Sequence, residues 1–196
     1  MMSIAEQKKQ LRKRMRAMRL VADQKQGPDV ARAIMGHFLG ALDDLGIGPG
    51  TIVGGYWPIV TEVDVRPLLA RLEDRGVTCA LPFMTAPDEP LQFRRWRVLD
   101  ALEPGVLGTS HPGADAPVVT PEILLVPLLA FDEDGFRLGH GGGYYDKTLV
   151  AMRLNGRVEA VGVGFSVQRA TRVPRNELDQ PLDWVLTEVS LARVTR

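Results

Sequence analysis

The sequence predicts an α/β protein: a three-layer sandwich with a mixed, largely parallel central sheet and helices on both faces. Two observations lead to this prediction. Helical and strand patterns alternate along most of the chain after Asp23, as in proteins built from βαβ units. Two near-continuous apolar runs of strand length, 122–131 and 157–165, are typical of central parallel strands covered on both faces. The length of 196 residues, 45% of them hydrophobic, suits a single domain over 1–196.

The first predicted element is a basic helix over 4–20 that packs on the core. Seven bases and one acid fall within residues 1–20, whereas the whole chain is neutral. Lys8 and Arg12 lie one turn apart and should reach the edge of any cleft that the helix covers. A solvated basic face without a ligand and an RNA-binding surface are the alternatives. Four apolar residues share one side of this helix at a period of 3.6: Ile4, Leu11, Met15 and Met18.

The middle of the chain alternates between the two periodicities. Apolar spacing and flanking glycines predict a helix over 28–45, a strand over 51–57, a helix over 63–73 and strands over 77–83 and 91–98. The last of these strands alternates apolar residues with Gln and Arg, which indicates one solvent-facing side. Residues 104–121 are rich in proline, glycine and small residues, so they predict a long surface loop near a site.

The C-terminal part predicts a right-handed βαβ unit. The apolar strand 122–131 leads through a glycine loop into a helix over 144–154, and the strand 157–165 follows. A short strand over 184–187 completes the sheet. In such units the ligand crevice lies at the carboxyl ends of the parallel strands.

The segment RLGHGGGYYDK at 137–147 is the strongest indication of function. Four glycines fall within 139–143, directly before the predicted helix start. Glycine brings backbone N–H groups close to a ligand and a helix N-terminus adds partial positive charge, so the segment suits phosphate oxygens. It is not a P-loop, because Lys147 follows an aspartate, and the dinucleotide fingerprint would require glycine at Tyr144. A plain connecting loop is the alternative.

Two aspartates are candidate ligands for magnesium. Asp146 falls in the first turn of the predicted helix, and Asp183 precedes the last strand. If both face the carboxyl-side crevice, two carboxylates beside a phosphate site form the kind of site that Mg²⁺ uses. The alternatives are a helix-capping role for Asp146 and a turn-flanking role for Asp183.

Other features exclude several classes of protein. Cys79 is the single cysteine, so no internal disulfide forms, and the three histidines are too scattered for a zinc site. No apolar stretch is long enough for a membrane span, and the basic N-terminus lacks the apolar core of a signal peptide. A cytoplasmic location without a membrane partner is therefore expected.

Several segments in this order resemble the 5-formyltetrahydrofolate cyclo-ligase family, also called 5,10-methenyltetrahydrofolate synthetases, over nearly the whole chain. The most specific is the block RLGHGGGYYDK, and the others are KKQLR (8–12), WPIVTEVD (57–64), VGVGFSVQ (161–168) and VPRNELDQPLDWVLTE (173–188). Many members have arginine where His140 stands, histidine where Leu178 stands and arginine where Lys147 stands. These departures concern individual contacts more than the reaction.

The resemblance implies an enzyme with ATP as co-substrate and Mg²⁺ as cofactor. It would convert 5-formyltetrahydrofolate to 5,10-methenyltetrahydrofolate with release of ADP and phosphate, through phosphorylation of the formyl oxygen and attack by N10. Its partners would be these small molecules and no nucleic acid, and it would act as a monomer. A relative that uses the same ATP loop on a non-folate substrate and an RNA-binding module led by the basic helix are the competing hypotheses.

The resemblance also assigns roles to residues. Catalysis would involve Arg137, His140 and Tyr144, and Mg²⁺ would be held by Asp146 and Asp183. ATP would be bound by Lys8, Arg12, Arg137, Leu138, Gly139, His140, Gly141, Gly142, Gly143, Tyr144 and Tyr145. The folate would be bordered by Trp57, Glu62, His140, Gly141, Gly142, Gly143 and Tyr144.

Overall fold

The computed structural model describes residues 2–195, so residues 1 and 196 of the predicted single domain lie outside the described part. Its α-helices are α1 (Ile4–Leu39), α2 (Arg66–Glu73) and α3 (Tyr144–Asn155), and short 3-10 helices occupy Val106–Gly108 and Ser166–Gln168. The strands are β1 (Ile52–Gly54), β2 (Thr78–Phe83), β3 (Gln92–Arg95), β4 (Leu102–Pro104), β5 (Ser110–Pro112), β6 (Val118–Val119), β7 (Ile123–Pro127), β8 (Ala130–Phe131), β9 (Arg137–Leu138), β10 (Glu159–Val163), β11 (Trp184–Leu186) and β12 (Leu191–Arg193).

The central sheet is mixed and largely parallel, as the sequence predicts. Its eight strands have the order β12-β11-β10-β7-β1-β2-β3-β6. The neighbours from β11 through β2 all pair in parallel, whereas β12, β3 and β6 pair antiparallel at the two sides. Two separate hairpins, β4-β5 and β8-β9, stand outside this sheet. The crossover from β7 through α3 to the adjacent parallel strand β10 confirms the predicted βαβ connection.

The helices cover the sheet on both faces. Successive side chains of a strand point to opposite faces, and β7 divides its buried residues accordingly. Ile123 and Leu125 pack in a core with residues of α1 and α2, whereas Leu124 and Val126 pack in a core with Leu149 of α3. The predicted three-layer arrangement is therefore confirmed.

Helix α1 is longer than predicted. It begins with a capping box in which Ser3 Oγ accepts a hydrogen bond from Glu6 N, while Glu6 Oε2 accepts one from Ser3 N. The helix then continues well past the predicted end at residue 20, with a kink at Gly27, where φ is 43°. A positive φ interrupts the helix at little cost because glycine lacks a Cβ. Residues 40–45, predicted as helix, form turns instead.

The predicted apolar stripe of α1 is partly wrong. Met15 is buried and Leu11 is half-buried, but Ile4 and Met18 are exposed. Met15 packs on Leu129 and Leu138 of the segment around the β8-β9 hairpin. The inward face of this part of α1 runs through Lys8, Leu11, Arg12, Met15 and Arg19, so three of its bases point toward the protein.

The apolar run 122–131 does not form one strand. Strand β7 ends at Pro127, which has no N–H for a sheet hydrogen bond. The carbonyls of Leu128 and Leu129 then accept hydrogen bonds from Gln168 Nε2 at 3.0 and 2.9 Å. The chain next forms the β8-β9 hairpin, which leads directly into the glycine loop. The segment 122–131 thus contains the central strand β7 and the first strand of the hairpin that precedes the glycine loop.

Candidate functional site

A cleft of about 510 Å³ opens at the carboxyl ends of the parallel strands. Its walls come from the ends of β2 and β7, the chain after β1, the β4-β5 hairpin, the N-terminal part of α1 and the glycine loop before α3. This is the position expected for a ligand crevice in an open α/β sheet. The volume lies within the range of pockets that hold small molecules and cofactors.

The glycine loop forms one side of the cleft and leads into the N-terminus of α3. Gly141 and Gly143 have φ values of 118° and 68°, a backbone region that side-chain-bearing residues rarely adopt. Gly143 is the N-cap of α3, and no side chain caps this helix end. The N–H groups of the first turn are therefore available to an anion, which the helix dipole also favours.

Two basic residues of α1 face this loop. Lys8 Nζ lies 2.6 and 2.7 Å from the two carboxylate oxygens of Asp179. Arg12 Nε donates a hydrogen bond to the carbonyl of Gly139 at 2.9 Å. Burial lowers the pKa of the Arg12 guanidinium, yet arginine stays charged in proteins. The predicted approach of Lys8 and Arg12 to a cleft is thus observed.

A buried arginine lies beneath the start of α3. Arg137 on β9 donates a hydrogen bond to the carbonyl of Gln180 at 2.7 Å and forms an ion pair with Asp146 at 3.0 Å. The same Asp146 oxygen accepts a hydrogen bond from Gln180 N. Burial lowers the pKa of Arg137, against the opposing influence of Asp146. Arg137, Asp146 and Asp179 therefore meet at one end of the cleft.

The other acid of the cleft is Glu62, whose side chain is only 4% exposed. Its Oε2 accepts a hydrogen bond from Ile59 N at 3.0 Å, and its Oε1 lies 3.1 Å from His140 Nε2. Behind it, Arg19 NH1 lies 3.9 Å from Oε1. Glu62 is thus held by its own turn and faces the glycine loop through His140.

Aromatic side chains line the cleft near Glu62. Trp57 is half-buried and packs edge-to-face on Trp96, with a centroid distance of 6.4 Å. Tyr144, the first residue of α3, is also half-buried and borders the cleft. Tyr56 is buried and donates a hydrogen bond to the carbonyl of Val63. Apolar and polar groups therefore converge at this end, as in sites for small aromatic ligands.

The segment 104–121 contains more structure than the predicted surface loop. It begins at Pro104, the last residue of β4, and contains a 3-10 turn and the strands β5 and β6, so the prediction of a loop over the whole segment is wrong. Its predicted closeness to a site is correct. Its residues that line the cleft are Pro104, Gly105, Val106, Thr109, Ser110 and His111.

Asp183 is not in the cleft, contrary to the expectation that it faces Asp146. Its Oδ2 accepts hydrogen bonds from Arg153 NH2 at 2.8 Å and from Ala160 N at 2.9 Å. Because Asp183 immediately precedes the parallel strand β11, it lies at the amino end of the sheet, whereas the cleft lies at the carboxyl ends. Asp183 and Asp146 therefore do not meet around one ion, contrary to the prediction.

The remaining predicted site residues line the cleft. Those that line it are Lys8, Arg12, Trp57, Glu62, Arg137, Leu138, Gly139, His140, Gly141, Gly142, Gly143, Tyr144, Tyr145 and Asp146. Sequence reasoning missed Asp179, Ile59 and the buried Arg19. The spacing of Lys8, Arg12, Met15 and Arg19 along one helical face could have indicated that Arg19 points inward.

Residues 2–195 contain no group of three or more His, Cys, Asp or Glu side chains arranged to hold a metal ion. Nor does any helix of the described residues combine the length and apolarity that crossing a membrane requires.

The chain is similar in sequence to a characterised enzyme family. The sequence profile of the 5-formyltetrahydrofolate cyclo-ligase family matches residues 4–188. The 5-formyltetrahydrofolate cyclo-ligase of Escherichia coli K12 is 34% identical over 131 residues, which cover 64% of this chain and 71% of the relative. The enzyme of the same name from Haemophilus influenzae is 30% identical over 132 residues, which cover 65% of this chain and 70% of that enzyme.

Solved structures show the same fold. The Aquifex aeolicus 5,10-methenyltetrahydrofolate synthetase superposes with a TM-score of 0.79 at 26% identity, covering 96% of this chain and 93% of the other. The Mycoplasma pneumoniae 5,10-methenyltetrahydrofolate synthetase gives a TM-score of 0.71 at 21% identity, covering 92% and 98%. At 21% identity, the similarity to the Mycoplasma pneumoniae structure shows a shared fold only.

Proposed function

Since the chain belongs to the 5-formyltetrahydrofolate cyclo-ligase family, we propose that it catalyses the ATP-dependent closure of 5-formyltetrahydrofolate to 5,10-methenyltetrahydrofolate, with release of ADP and phosphate. The observation that carries the proposal is the composition of one cleft. A glycine loop and an uncapped helix N-terminus face Lys8, Arg12 and Arg137, and a buried acid with aromatic neighbours lies beside them. The first group suits a triphosphate, and the second suits a pterin.

The chemistry explains the need for ATP. An N-formyl group is a resonance-stabilised amide, and ring closure requires its oxygen to leave. Attack of that oxygen on the γ-phosphate of ATP forms a new P–O bond and releases ADP. N10 then adds to the activated carbon, its proton is lost, and phosphate departs with the C–O bonding electrons. The protein's task is to position the reactants and stabilise phosphate charge.

We assign the phosphates to the glycine-loop end of the cleft. The backbone of Gly139, Gly141, Gly142 and Gly143 and the first turn of α3 would donate to phosphate oxygens. Lys8 and Arg12 would add positive charge from α1, with Lys8 exchanging its contact with Asp179 for a phosphate oxygen. Leu138 and Tyr145 would contribute the adjoining wall of the nucleotide site.

The residues at this end also fit a magnesium ion carried by the nucleotide. Mg²⁺ in nucleotide sites is typically held by one or two carboxylates together with phosphate oxygens. Asp146 and Asp179 line the cleft next to the loop, and Gln180 N, which bonds to Asp146, directly follows Asp179. When bound, the ion would neutralise charge on the phosphates. Asp183 is not part of this proposal, because its Oδ2 is bonded at the other end of the sheet.

We assign the folate to the end that contains Glu62. Its cleft-facing Oε1 can accept hydrogen bonds from the amide and amino N–H groups of the pterin, which requires His140 to share or release that oxygen. Trp57 and Tyr144 offer flat surfaces for the ring. The reacting formyl oxygen would then lie between this end and the glycine loop. Gly141, Gly142 and Gly143 of that loop would border it.

Three residues are proposed to act at the transferring phosphoryl group. Arg137 is held rigidly by Gln180 and Asp146 and supplies a buried positive charge. His140 can donate a hydrogen bond from the loop. Tyr144 would orient the substrate at the helix start. Such prearranged charge and positioning are the main sources of catalysis in phosphoryl transfer.

The test is a spectroscopic assay for the methenyl product. Purified protein is mixed with 5-formyltetrahydrofolate, ATP and Mg²⁺, and formation of the methenyl chromophore is expected only when all three are present. ATP binding without product would favour a relative that acts on a non-folate substrate. An RNA-binding module would instead bind RNA with strong salt dependence, weakened evenly by changes at the exposed Lys9, Lys13 and Arg16.

A further inference from the structure

We propose that Arg19 is a positioning residue for folate recognition, which holds the Glu62 carboxylate from behind in its cleft-facing arrangement. This inference rests on the proposed function, because it takes Glu62 to be the acid that contacts the pterin. Arg19 is not among the residues that line the cleft, so it would act through Glu62 and not on the substrate.

The guanidinium of Arg19 lies directly behind the segment that carries Glu62. Arg19 is only 3% exposed. Its Nε donates a hydrogen bond to Thr61 Oγ1 at 2.9 Å, and its NH1 lies 3.9 Å from Glu62 Oε1. The same NH1 is within 3.5 Å of the Leu128 carbonyl at the end of the central strand β7. One side chain of α1 thus connects the sheet to the turn of Glu62.

The groups around Glu62 show what Arg19 contributes to this carboxylate. Glu62 is buried, and a buried carboxylate is costly unless it is paired with a positive charge. Besides the backbone N–H of Ile59, the side chains that interact with it are His140 from the glycine loop, Tyr56 after β1 and Tyr145 of α3. His140 is on the ligand side, and both tyrosines are neutral at neutral pH. Arg19 therefore supplies a positive charge that a bound folate need not displace.

The environment of Arg19 supports the pairing. Burial lowers the pKa of the Arg19 guanidinium, and the Glu62 carboxylate is the foremost of the influences that oppose this shift. Tyr56 and Asp23 act in the same direction as Glu62, whereas Arg16 acts against it. Arginine keeps its charge under such conditions.

Helix α1 would thus serve both substrates with one face. Lys8, Arg12 and Arg19 occur at spacings of four and seven residues, which places them on the same side of the helix. Lys8 contacts Asp179 and Arg12 contacts the glycine loop, whereas Arg19 contacts Thr61 in the segment of Glu62. A change at Arg19 should therefore affect the folate and leave ATP largely unaffected.

The experiment compares Arg19→Met with Arg19→Lys and with Arg16→Met, a change at an exposed base on the same helix. For Arg19→Met we expect the KM for 5-formyltetrahydrofolate to rise on the order of tenfold, and to rise more at pH 6 than at pH 8, because loss of the buried positive charge favours the protonated, uncharged carboxyl at residue 62. The KM for ATP should change less than about twofold. Arg19→Lys should restore most of the folate affinity, and Arg16→Met should match the wild type.

A Glu62→Gln background distinguishes loss of the Arg19 charge from general damage to the structure around Glu62. In a Glu62→Gln protein no carboxylate charge remains, so adding Arg19→Met should change the pH profile of the folate KM less than about twofold. Equal rises in both KM values at every pH would overturn the proposal. If Arg19→Met does not fold, Arg19→Lys decides: a modest rise in the folate KM alone supports the role, and an unchanged folate KM with lowered kcat overturns it.

The two levels of the proposal fail in different ways. A wild-type protein that forms no methenyl product refutes the proposed function. A wild-type protein that turns over, together with an Arg19→Met variant whose folate KM keeps the wild-type pH profile, refutes the role of Arg19 alone.

Discussion

The two ends of helix α3 carry similar residue types in different surroundings. At the N-terminus, Gly143 leaves the first-turn N–H groups without a side-chain cap, and Asp146 borders the open cleft. Toward the C-terminus, Arg153 donates hydrogen bonds to the carbonyl of Pro181 and to Asp183. Both ends have an arginine paired with an aspartate, yet only the first pair faces a ligand-sized space.

The difference teaches which ion pairs can take part in binding. The oxygen of Asp183 that pairs with Arg153 also accepts Ala160 N at the start of β10, so this acid joins a helix to the sheet. Asp146 also pairs with an arginine and a backbone N–H, but it lies beside unsatisfied helix donors at the carboxyl ends of the strands. Residue type alone does not separate the two roles, whereas the direction of the nearest parallel strand does.

The largest expected effect comes from exchanging one aspartate at each end. Asp146→Asn should lower kcat on the order of 100-fold and weaken the dependence on Mg²⁺, because it would remove a carboxylate charge beside the proposed phosphate site. Asp183→Asn should change kcat less than about twofold and instead lower the free energy of unfolding by about 1–3 kcal/mol, through its weakened bonds to Arg153 and Ala160.

Steady-state kinetics at several Mg²⁺ concentrations and urea unfolding provide both measurements for the two variants. Circular dichroism checks that Asp146→Asn keeps its fold. The comparison breaks if Asp183→Asn loses magnesium dependence while Asp146→Asn retains it, since the metal would then belong to the other end of the helix.

An intermediate effect is expected from placing alanine at a glycine near each end of α3. A Cβ on Gly142 would lie 2.7 Å from Cε2 of the Tyr144 ring, so the ring must move. Small displacements of positioning groups are costly in catalysis, and Gly142→Ala should lower kcat/KM by about 10- to 100-fold with little loss of stability. Gly156→Ala is the matched control, because a Cβ there meets nothing within 4 Å. Equal activity in both variants would contradict a positioning role for Tyr144.

Much of the fold could be predicted because local patterns and topology agree. The glycine-flanked helix predicted over 144–154 forms at Tyr144–Asn155, and its two neighbouring apolar strands pair in parallel. The run 122–131 was harder, because a hydrophobic sequence does not reveal that Pro127 ends the strand and that a separate hairpin follows. In the segment 104–121, β5 pairs with the neighbouring β4 and β6 pairs with β3. These strands are two or three residues long, and a composition rich in proline and glycine does not indicate them.

The sequence brings together the cleft residues that are adjacent in the chain and misses those that distant segments contribute. The glycine loop and Asp146 are adjacent in sequence, so one motif places them together. No local pattern identifies Asp179, which meets Lys8 through tertiary packing. Helical spacing could indicate that Arg19 points inward, but not that it meets the segment of Glu62. The error at Asp183 was avoidable, since a residue just before a parallel strand lies at the amino end of the sheet, away from the crevice.

The smallest expected effect concerns the pH dependence of the amino end of the sheet. Burial raises the pKa of Glu159, but hydrogen bonds from Arg157 and Trp184 outweigh it, so its pKa lies below the ordinary value of 4.5. A lowered pKa in the folded state contributes stability that is present above 4.5 and is lost as the pH falls through the folded value. Glu159→Gln should therefore cost up to about 1 kcal/mol at pH 7 and nothing near pH 2, as measured by urea unfolding at both pH values. Its kcat and both KM values should remain those of the wild type, because the cleft lies at the opposite ends of the strands. A loss of ATP affinity in this variant would mean that the two ends of the sheet are coupled.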